Sequence, residues 1–473
     1  MLSRLARLIR AIGHWLEDRT GLWSVSRRLA EHPVPPGTDW RYVLGGATLV
    51  AFLLQVATGV ALATVYVPST GSAYQSLQFI THDAPFGRVL RGMHYFGASA
   101  MVVLIGAHMS RVFLTGSYKF PREMNWLSGA ALLLLTILMA FTGQLLRWDQ
   151  DGVWSAVVAS EQAARIPALG HWLAHLVLGG ATVSGPTLSR SFAVHAFLIP
   201  ALIFAGVGLH LYLVLRTGVS ERASIGPAVV DPATYRAWYR NLLDREGQPF
   251  WPDAAWRDAV VAVLVVGTVL ALALIVGPKP LGKPPDPTII IASPRPDWYF
   301  LWYFAVLAIL PRGIEPSVIV LAPLLFGLAV FLLPLVANRG RRTLRHRPWA
   351  EVVVAAAVFT IAWYSRLGVR SPWSPDFDAR PLTAQAIASS DSAVVAGAAL
   401  FHARGCEYCH AIDGQGGSRG PDLTDVGHRL NHPQLVARIL GGGNIMPAYT
   451  GKLSSTELAQ LVAFLQSRRD SPK

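Results

Sequence analysis

The chain has 473 residues, of which 52% are hydrophobic and only 15% charged, with a mean hydropathy of +0.39. That composition excludes an ordinary soluble globular protein. A formal net charge of +13 would suit nucleic acid, but the arginines stand beside apolar runs of membrane-spanning length, where a positive-inside bias accounts for them. No nucleic-acid partner is expected.

In chain order, residues 1–34 carry no cleavable signal. They place Leu2, Leu5, Leu8, Ile9, Ile12, Trp15 and Leu16 on one helical face and Arg4, Arg7 and Arg10 on the other, which predicts an amphipathic helix lying on membrane lipid. Seven apolar stretches follow, over roughly 42–66, 90–114, 126–147, 191–215, 258–277, 316–337 and 349–367. Lipid offers backbone groups no partner, so each must be helical. Lys and Arg concentrate in the N-terminus and in the 115–124, 216–257 and 338–347 connections. The N-terminus is therefore expected in the cytoplasm and the C-terminus, after seven spans, outside. A Pro- and Ser-containing linker over 368–388 leads into a polar, Gly-rich segment, 389–473. The expected fold is all-α, a polytopic membrane bundle with a C-terminal soluble helical domain.

Four histidines fall inside spans: His94 and His108 in the second, His195 and His210 in the fourth. One intramembrane histidine can simply hydrogen-bond across helices. Separations of 14 and 15 residues, close to four helical turns, put each pair on one face and about 21–23 Å apart along the axis. The two helices run in the same direction, so His94 faces His195 near the external surface and His108 faces His210 near the cytoplasmic one. Two non-covalent bis-histidine haems of b type are the simplest use of that arrangement. Gly45 and Gly59 in the first span, and Gly129 and Gly143 in the third, repeat the 14-residue interval. They either help helices pack or clear room for a porphyrin edge.

The C-terminal segment holds both cysteines of the chain in Cys406-Glu407-Tyr408-Cys409-His410, the c-type haem attachment pattern. A redox dithiol or half a zinc site are the rival readings. Met446, in N-I-M-P-A-Y, is the expected second axial ligand of the c haem, with His428 and His432 as alternatives. Ser454 and Glu457 form a capping box for a final helix with Leu458, Leu461, Val462 and Leu465 on one face.

The stretches Y-V-L-G-G-A-T-L-V-A-F-L-L-Q-V-A-T-G from Tyr42, R-V-F-L-T-G-S-Y-K-F-P-R-E from Arg111 and W-D-Q from Trp148 resemble the cytochrome b family of quinol–cytochrome c reductases, in particular the short cytochrome b of plastoquinol–plastocyanin reductases. The last three spans resemble the small companion subunit of those complexes, and P-D-W-Y at Pro296–Tyr299 matches its quinol-site P-E-W-Y signature. The resemblance divides the chain into a haem-binding part over 35–218, a three-helix part over 219–367 and, past the linker, a domain similar to class I cytochromes c.

The resemblance implies quinol oxidation near the external surface, beside the haem of His94 and His195, with Asp297 and Tyr299 in the site. One electron passes to a separate Rieske iron–sulfur protein. The other crosses to the haem of His108 and His210 and reduces quinone near the cytoplasmic side. A c-type cytochrome, the fused domain or another soluble acceptor, receives the Rieske electron. It also implies a homodimeric complex in a bacterial cytoplasmic membrane, with the cytochrome c domain periplasmic. Asp297 is suited to accept a quinol proton, or else to cap the helix that follows. Arg91 and Arg111 lie one turn from the histidines, placed to pair with haem propionates or to snorkel. Three departures stand out. Asp297 replaces the usual glutamate, Arg147 stands where the relatives have proline, and Val43 occupies the position of a haem-attaching cysteine, so no covalent haem is expected in the membrane part. A reading from another class is a dehydrogenase's membrane anchor that relays electrons without bifurcating them.

Overall fold

The computed structural model describes residues 2–180, 182–229, 231–285, 295–311, 314–371, 376, 378–417, 419–442, 446 and 448–469. Seven of its helices are long and apolar enough to cross a membrane, one for each predicted span. Helices α1 (Leu2–Thr20) and α2 (Leu22–Ala30) precede them. Leu5, Ile12, Trp15 and Leu16 are exposed on α1, as a lipid-facing stripe requires. The side chains of Leu2, Leu8, Ile9, Arg4, Arg7 and Arg10 lie outside the described ones.

One compact unit comprises Met1–Ile290, Pro294–Phe300 and Pro311–Ala362. Its centre is built from α3 (Leu44–Ala63), α5 (Gly87–Leu114), α6 (Glu123–Leu145) and the run from α9 (Gly185–Ala193) into α10 (Ile199–Thr217), joined by a π turn at Val194–Leu198. α3 packs along α5, and α6 along α10. Ala51, Phe52, Met101, Ile199 and Ile203 fill the middle of this bundle with an apolar plug. Each of these residues falls, in sequence, between a histidine or glycine of one level and that of the other.

Three shorter helices join the spans: α4 (Ala73–His82), α7 (Gln150–Ala164) and α8 (Gly170–Leu178). α7 starts where the Asp149 carboxylate accepts from the Gly152 amide at 2.9 Å, an N-cap. After α11 (Pro232–Glu246), helix α12 (Ala255–Ile275) lies against α3 and α5. A Cβ on Gly92 would stand 3.0 Å from that of Ala273, so glycine sets how closely α5 and α12 approach. Helices α13 (Leu301–Ile309), α14 (Glu315–Val336) and α15 (Pro348–Arg370) follow, α13 and the end of α15 belonging to the second unit. The short strands β1 (Pro33–Val34) and β2 (Gln248–Pro249) pair antiparallel, with Pro33 opposite Pro249.

The three basic connections meet on one face. Arg122 donates to Gly218 O at 2.8 Å and to the Tyr235 hydroxyl at 3.1 Å, and Tyr235 donates to Glu221 at 2.8 Å. Glu221 also pairs with the buried Arg342, while Arg347 donates to Phe113 O at 3.0 Å. Burial, with the charges of Arg347 and Arg342 beside it, holds the Lys119 ammonium down at about 8.

The second unit comprises Ile291–Ser293, Leu301–Leu310 and Trp363–Lys473. Residues 372–375 and 377 of the linker lie outside the described residues. Its C-terminal part contains α16 (Ala384–Ile387), α17 (Ser392–Ala403), α18 (Val426–Arg429), α19 (His432–Gly441) and α20 (Ser455–Ser467), with the two-residue hairpin strands β3 (Ala411–Ile412) and β4 (Gln415–Gly416). Phe401, Ile412, Leu435, Ile439, Leu461, Val462 and Phe464 are its core. The predicted capping box is formed: Ser454 N–H donates to Glu457 Oε2 at 2.8 Å and Glu457 N–H to Ser454 Oγ at 3.2 Å. Ser454→Ala is expected to cost about 1 kcal/mol locally. Hydrogen exchange of the first-turn amides of α20 should then quicken about fivefold.

Candidate functional site

His94 on α5 faces His195 in the π turn, their ring centroids 6.3 Å apart and their planes at 78°. Two imidazoles bound end-on to one metal at about 2 Å each would stand with centroids about 6 Å apart, so the pair fits a bis-imidazole ligand set. Further along the same two helices His108 and His210 are close enough to interact electrostatically. The unequal sequence intervals are reconciled by the π turn. It inserts one extra residue into the α9–α10 run, so 15 residues there match the face and height of 14 in α5.

The tautomers follow from the neighbours. Thr58 Oγ lies 3.0 Å from His94 Nδ1 while donating to Leu54 O at 2.8 Å. Ser128 Oγ lies 2.8 Å from His210 Nδ1 while donating to Asn125 O at 3.1 Å. A hydroxyl has one proton; with that proton on its own helix, the oxygen can only accept from the ring. For His195, Nδ1 lies 3.1 Å from both Thr142 Oγ and the Met139 carbonyl, and a carbonyl accepts only. In all three rings Nδ1 carries the hydrogen, leaving the Nε2 lone pair for a metal. The sequence reading missed Thr58, Ser128 and Thr142. The available signal was a hydroxyl residue directly before the glycine in three of the four cases, Leu44 preceding the fourth.

Each glycine opposes one histidine. A Cβ would come within 3.2 Å of His94 Cε1 at Gly59, 3.3 Å of His108 at Gly45, 3.4 Å of His210 at Gly129 and 2.7 Å of His195 at Gly143. The space these glycines leave is taken first by the imidazoles themselves. Arg91 is engaged by protein, donating to Thr81 Oγ at 2.9 Å and Lys279 O at 2.8 Å. The Arg111 guanidinium stacks 3.9 Å over the Tyr42 ring, and its buried Nε and Nη2 have no hydrogen-bond partner among the described residues. Val43, at the position where the family resemblance implies a haem-attaching cysteine, is buried at the start of α3.

Asp297 is buried, and both its carboxylate oxygens are engaged. Oδ1 receives Lys279 Nζ at 3.0 Å and Arg147 Nη1 at 3.3 Å, and Oδ2 receives the Tyr299 hydroxyl at 3.3 Å. Its amide donates to Gln144 Oε1 at 3.0 Å. Arg147, read from the sequence only as a departure from the family pattern, thus reaches the carboxylate of P-D-W-Y.

In the C-terminal part Cys406–Tyr408 form a single 3₁₀ turn, and the His410 amide donates to Cys406 O at 3.0 Å, which sets both cysteines and the histidine on one loop. His410 Nδ1 donates to Pro421 O at 2.8 Å, so its Nε2 is the free ligand atom. Burial pushes the Cys406 thiol up to about 12 and raises that of Cys409 as well, the opposite of what a redox dithiol needs. Among the described residues no group of three or more His, Cys, Asp and Glu is gathered to hold a metal unaided. Met446 is half-buried; its neighbours Asn444, Ile445 and Pro447 lie outside the described residues. His428 and His432 are exposed.

The family model "Cytochrome b/b6/petB" matches residues 29–218, "Cytochrome b(C-terminal)/b6/petD" matches 284–381, and "Cytochrome C oxidase, cbb3-type, subunit III" matches 392–465. Cytochrome b6 of Heliobacterium mobile is 40% identical over 210 residues, 44% of this chain and 99% of that protein. Cytochrome b6 of Synechococcus elongatus is 37% identical over 206 residues, 44% of this chain and 96% of that protein. A solved structure described as a hyperthermophilic respiratory Complex III superposes with a TM-score of 0.64 at 25% identity, covering 79% of this chain and 92% of that one.

Proposed function

We propose a function on the premise that the chain belongs to the cytochrome b/b6 family, with a cytochrome c domain fused at its C-terminal end. It is an integral membrane subunit of a redox complex, and we read it as the cytochrome b–c subunit of a proton-translocating quinol–cytochrome c reductase. The observation that carries this reading is the pairing of two histidine levels, with the imidazoles of His94, His195 and His210 turned inward by Nδ1 hydrogen bonds, together with a buried carboxylate in P-D-W-Y. The match over 284–381 favours quinol oxidation over a simple electron relay.

His94 and His195 would hold one b haem and His108 and His210 a second, with Gly45, Gly59, Gly129 and Gly143 keeping the helix surfaces clear. Arg111, with unpaired donors, is suited to a propionate; Arg91 is already committed. Cys406 and Cys409 would bind a c haem covalently, with His410 and Met446 as the residues that would hold its iron. When bound, these groups supply the one-electron transfers. The protein's own part is to hold the imidazoles, to keep the bundle between the two levels dry, and to take a proton on Asp297 as quinol is oxidised, with Tyr299 donating to the same carboxylate. A separate Rieske iron–sulfur protein takes the first electron, and the c domain or a soluble cytochrome takes it on. The complex is a homodimer in a bacterial cytoplasmic membrane. The basic face is cytoplasmic and the c domain external, as the positive-inside rule directs.

Four measurements test the assignment. The denatured chain should keep one covalent haem and release two b haems. After cleavage in the 368–388 linker the covalent haem should remain with the C-terminal fragment alone, as Val43 requires; a single extractable haem or stain on the membrane fragment overturns the assignment. Ser128→Ala removes the hydroxyl that accepts from His210 and makes that imidazole a poorer donor to iron. The midpoint potential of one b haem should rise by tens of millivolts with the other unchanged, on the order expected for one hydrogen bond. Asp297→Asn should slow quinol oxidation on the order of 10²-fold with both b-haem spectra intact. Full turnover in that variant would leave Asp297 a structural residue.

A further inference from the structure

The charges around Asp297 form a row that leads outward. The two cations on its Oδ1, Arg147 and Lys279, also reach Asp151 Oδ2, at 3.6 and 3.7 Å. Side-chain exposure rises along the row, from 7% at Asp297 through 12% at Arg147 to 24% at Asp151 and 28% at Lys279. The third carboxylate nearby, Asp149, is closed off: it is fully buried, and its oxygens accept from the Gly152 and Gly282 amides at 2.9 and 3.0 Å. Asp151 takes one amide bond, from Arg295 at 3.1 Å to Oδ1, and meets the two cations with Oδ2 only at ion-pair distance. Because Lys279 Nζ stands 3.0 Å from Asp297 Oδ1 and 3.7 Å from Asp151 Oδ2, those oxygens are at most about 6.7 Å apart, within reach of one or two bridging waters.

The lysine is itself held. Its carbonyl accepts from Arg91 at 2.8 Å, and the segment after it is fixed by Gly282 N–H on Asp149 and by the Gln150 amide on Lys283 O at 3.0 Å. Arg147 has its buried Nε and Nη2 turned to Asp149 and Asp151 without a direct hydrogen bond, so the gap between the carboxylates is lined by donors. The pattern explains two departures together. An aspartate reaches one methylene less far than the glutamate of the family signature, and the long side chain of Arg147, standing in place of proline, extends to meet it.

We propose that Asp151 is the second proton acceptor of the quinol-oxidation site, with Arg147 and Lys279 as positioning residues that hold it within one water-bridged step of Asp297. This rests on the reading that Asp297 takes the quinol proton. The quinol O–H bond breaks as an O–H bond forms on Asp297. That bond breaks in turn as one forms on Asp151, and the proton leaves Asp151 for external water. No electron moves in these steps, and both carboxylates return to their starting state. Whichever carboxylate is charged keeps both cations beside it.

The test uses the whole complex with its Rieske partner, quinol as donor and b-haem spectra as the assembly control. Asp151→Asn should lower kcat on the order of tenfold, less than the loss for the group that takes the proton first, with KM for quinol unchanged. Its solvent deuterium isotope effect should grow, and millimolar formate, a mobile proton carrier, should restore turnover. Asp151→Glu should keep most of the rate. Where asparagine disturbs assembly, Asp151→Ser carries the same rescue test. Wild-type kcat and isotope effect in Asp151→Asn, beside a slow Asp297→Asn, would overturn the relay and leave the quinol site standing. Wild-type turnover in Asp297→Asn would overturn the quinol-site reading and the relay with it.

Discussion

A histidine in an apolar bundle can point a lone pair inward only if something behind it accepts the hydrogen of its other nitrogen. Lipid cannot supply that acceptor, and an unmet N–H in such surroundings costs several kcal/mol. The neighbouring helix supplies it here, through hydroxyls whose own protons are already given to carbonyls a turn back. The arrangement needs the hydroxyl residue and the ring in the same plane of the bundle, hence a residue without a side chain next to it. Thr58–Gly59, Ser128–Gly129 and Thr142–Gly143 are one device repeated three times: the first member turns the imidazole and the second makes room for it.

That device fixes much of the remaining helix geometry. With acceptors on α3 and α6 opposing rings on α5 and the α9–α10 run, the four helices are locked in register at two heights, and an apolar plug of Ala51, Phe52, Met101, Ile199 and Ile203 fills the space between. The plug keeps the space between the two levels dry, because apolar surroundings hold neither water nor stray charge. The π turn at Val194–Leu198 serves the same register. Without its extra residue, an interval of 15 would turn His210 by about 100° from where an effective 14 residues place it, about 60° to the other side of the face that His195 occupies.

The seven spans, the histidine pairs, the C-x-x-C-H loop and the final capping box were legible because each is written in local sequence: a long apolar run, a fixed interval, a contiguous motif. Helices α4, α7 and α8 were not, since 9 to 15 residues of mixed polarity give no membrane signal and little amphipathic one. The hydroxyl acceptors were overlooked for a different reason. Thr and Ser in a membrane helix ordinarily bond back to their own backbone, as these three do, and nothing local tells that the oxygen also accepts from a ring 36 to 82 residues away.

The ion-pair row at Asp297 illustrates the same limit with charges. Arg147 alone looked like a defect, a basic residue replacing proline beside a membrane span, and Asp297 alone looked like a shortened glutamate. They are 150 residues apart and meet at 3.3 Å. A buried charge is tolerated only with a partner, so an unexplained arginine at a span end predicts a carboxylate across from it before any fold is known. By that rule the two departures are one feature, and Asp149, Asp151 and Lys279 complete the cluster of three carboxylates around two cations. Of the carboxylates in the row, Asp297 and Asp151 share both cations at Oδ atoms free of amide bonds, while the two oxygens of Asp149 are tied to the backbone. Mobility of a proton is favoured at carboxylates held by side-chain cations rather than tied at both oxygens to backbone amides, and in this row Asp297 and Asp151 meet that condition while Asp149 does not.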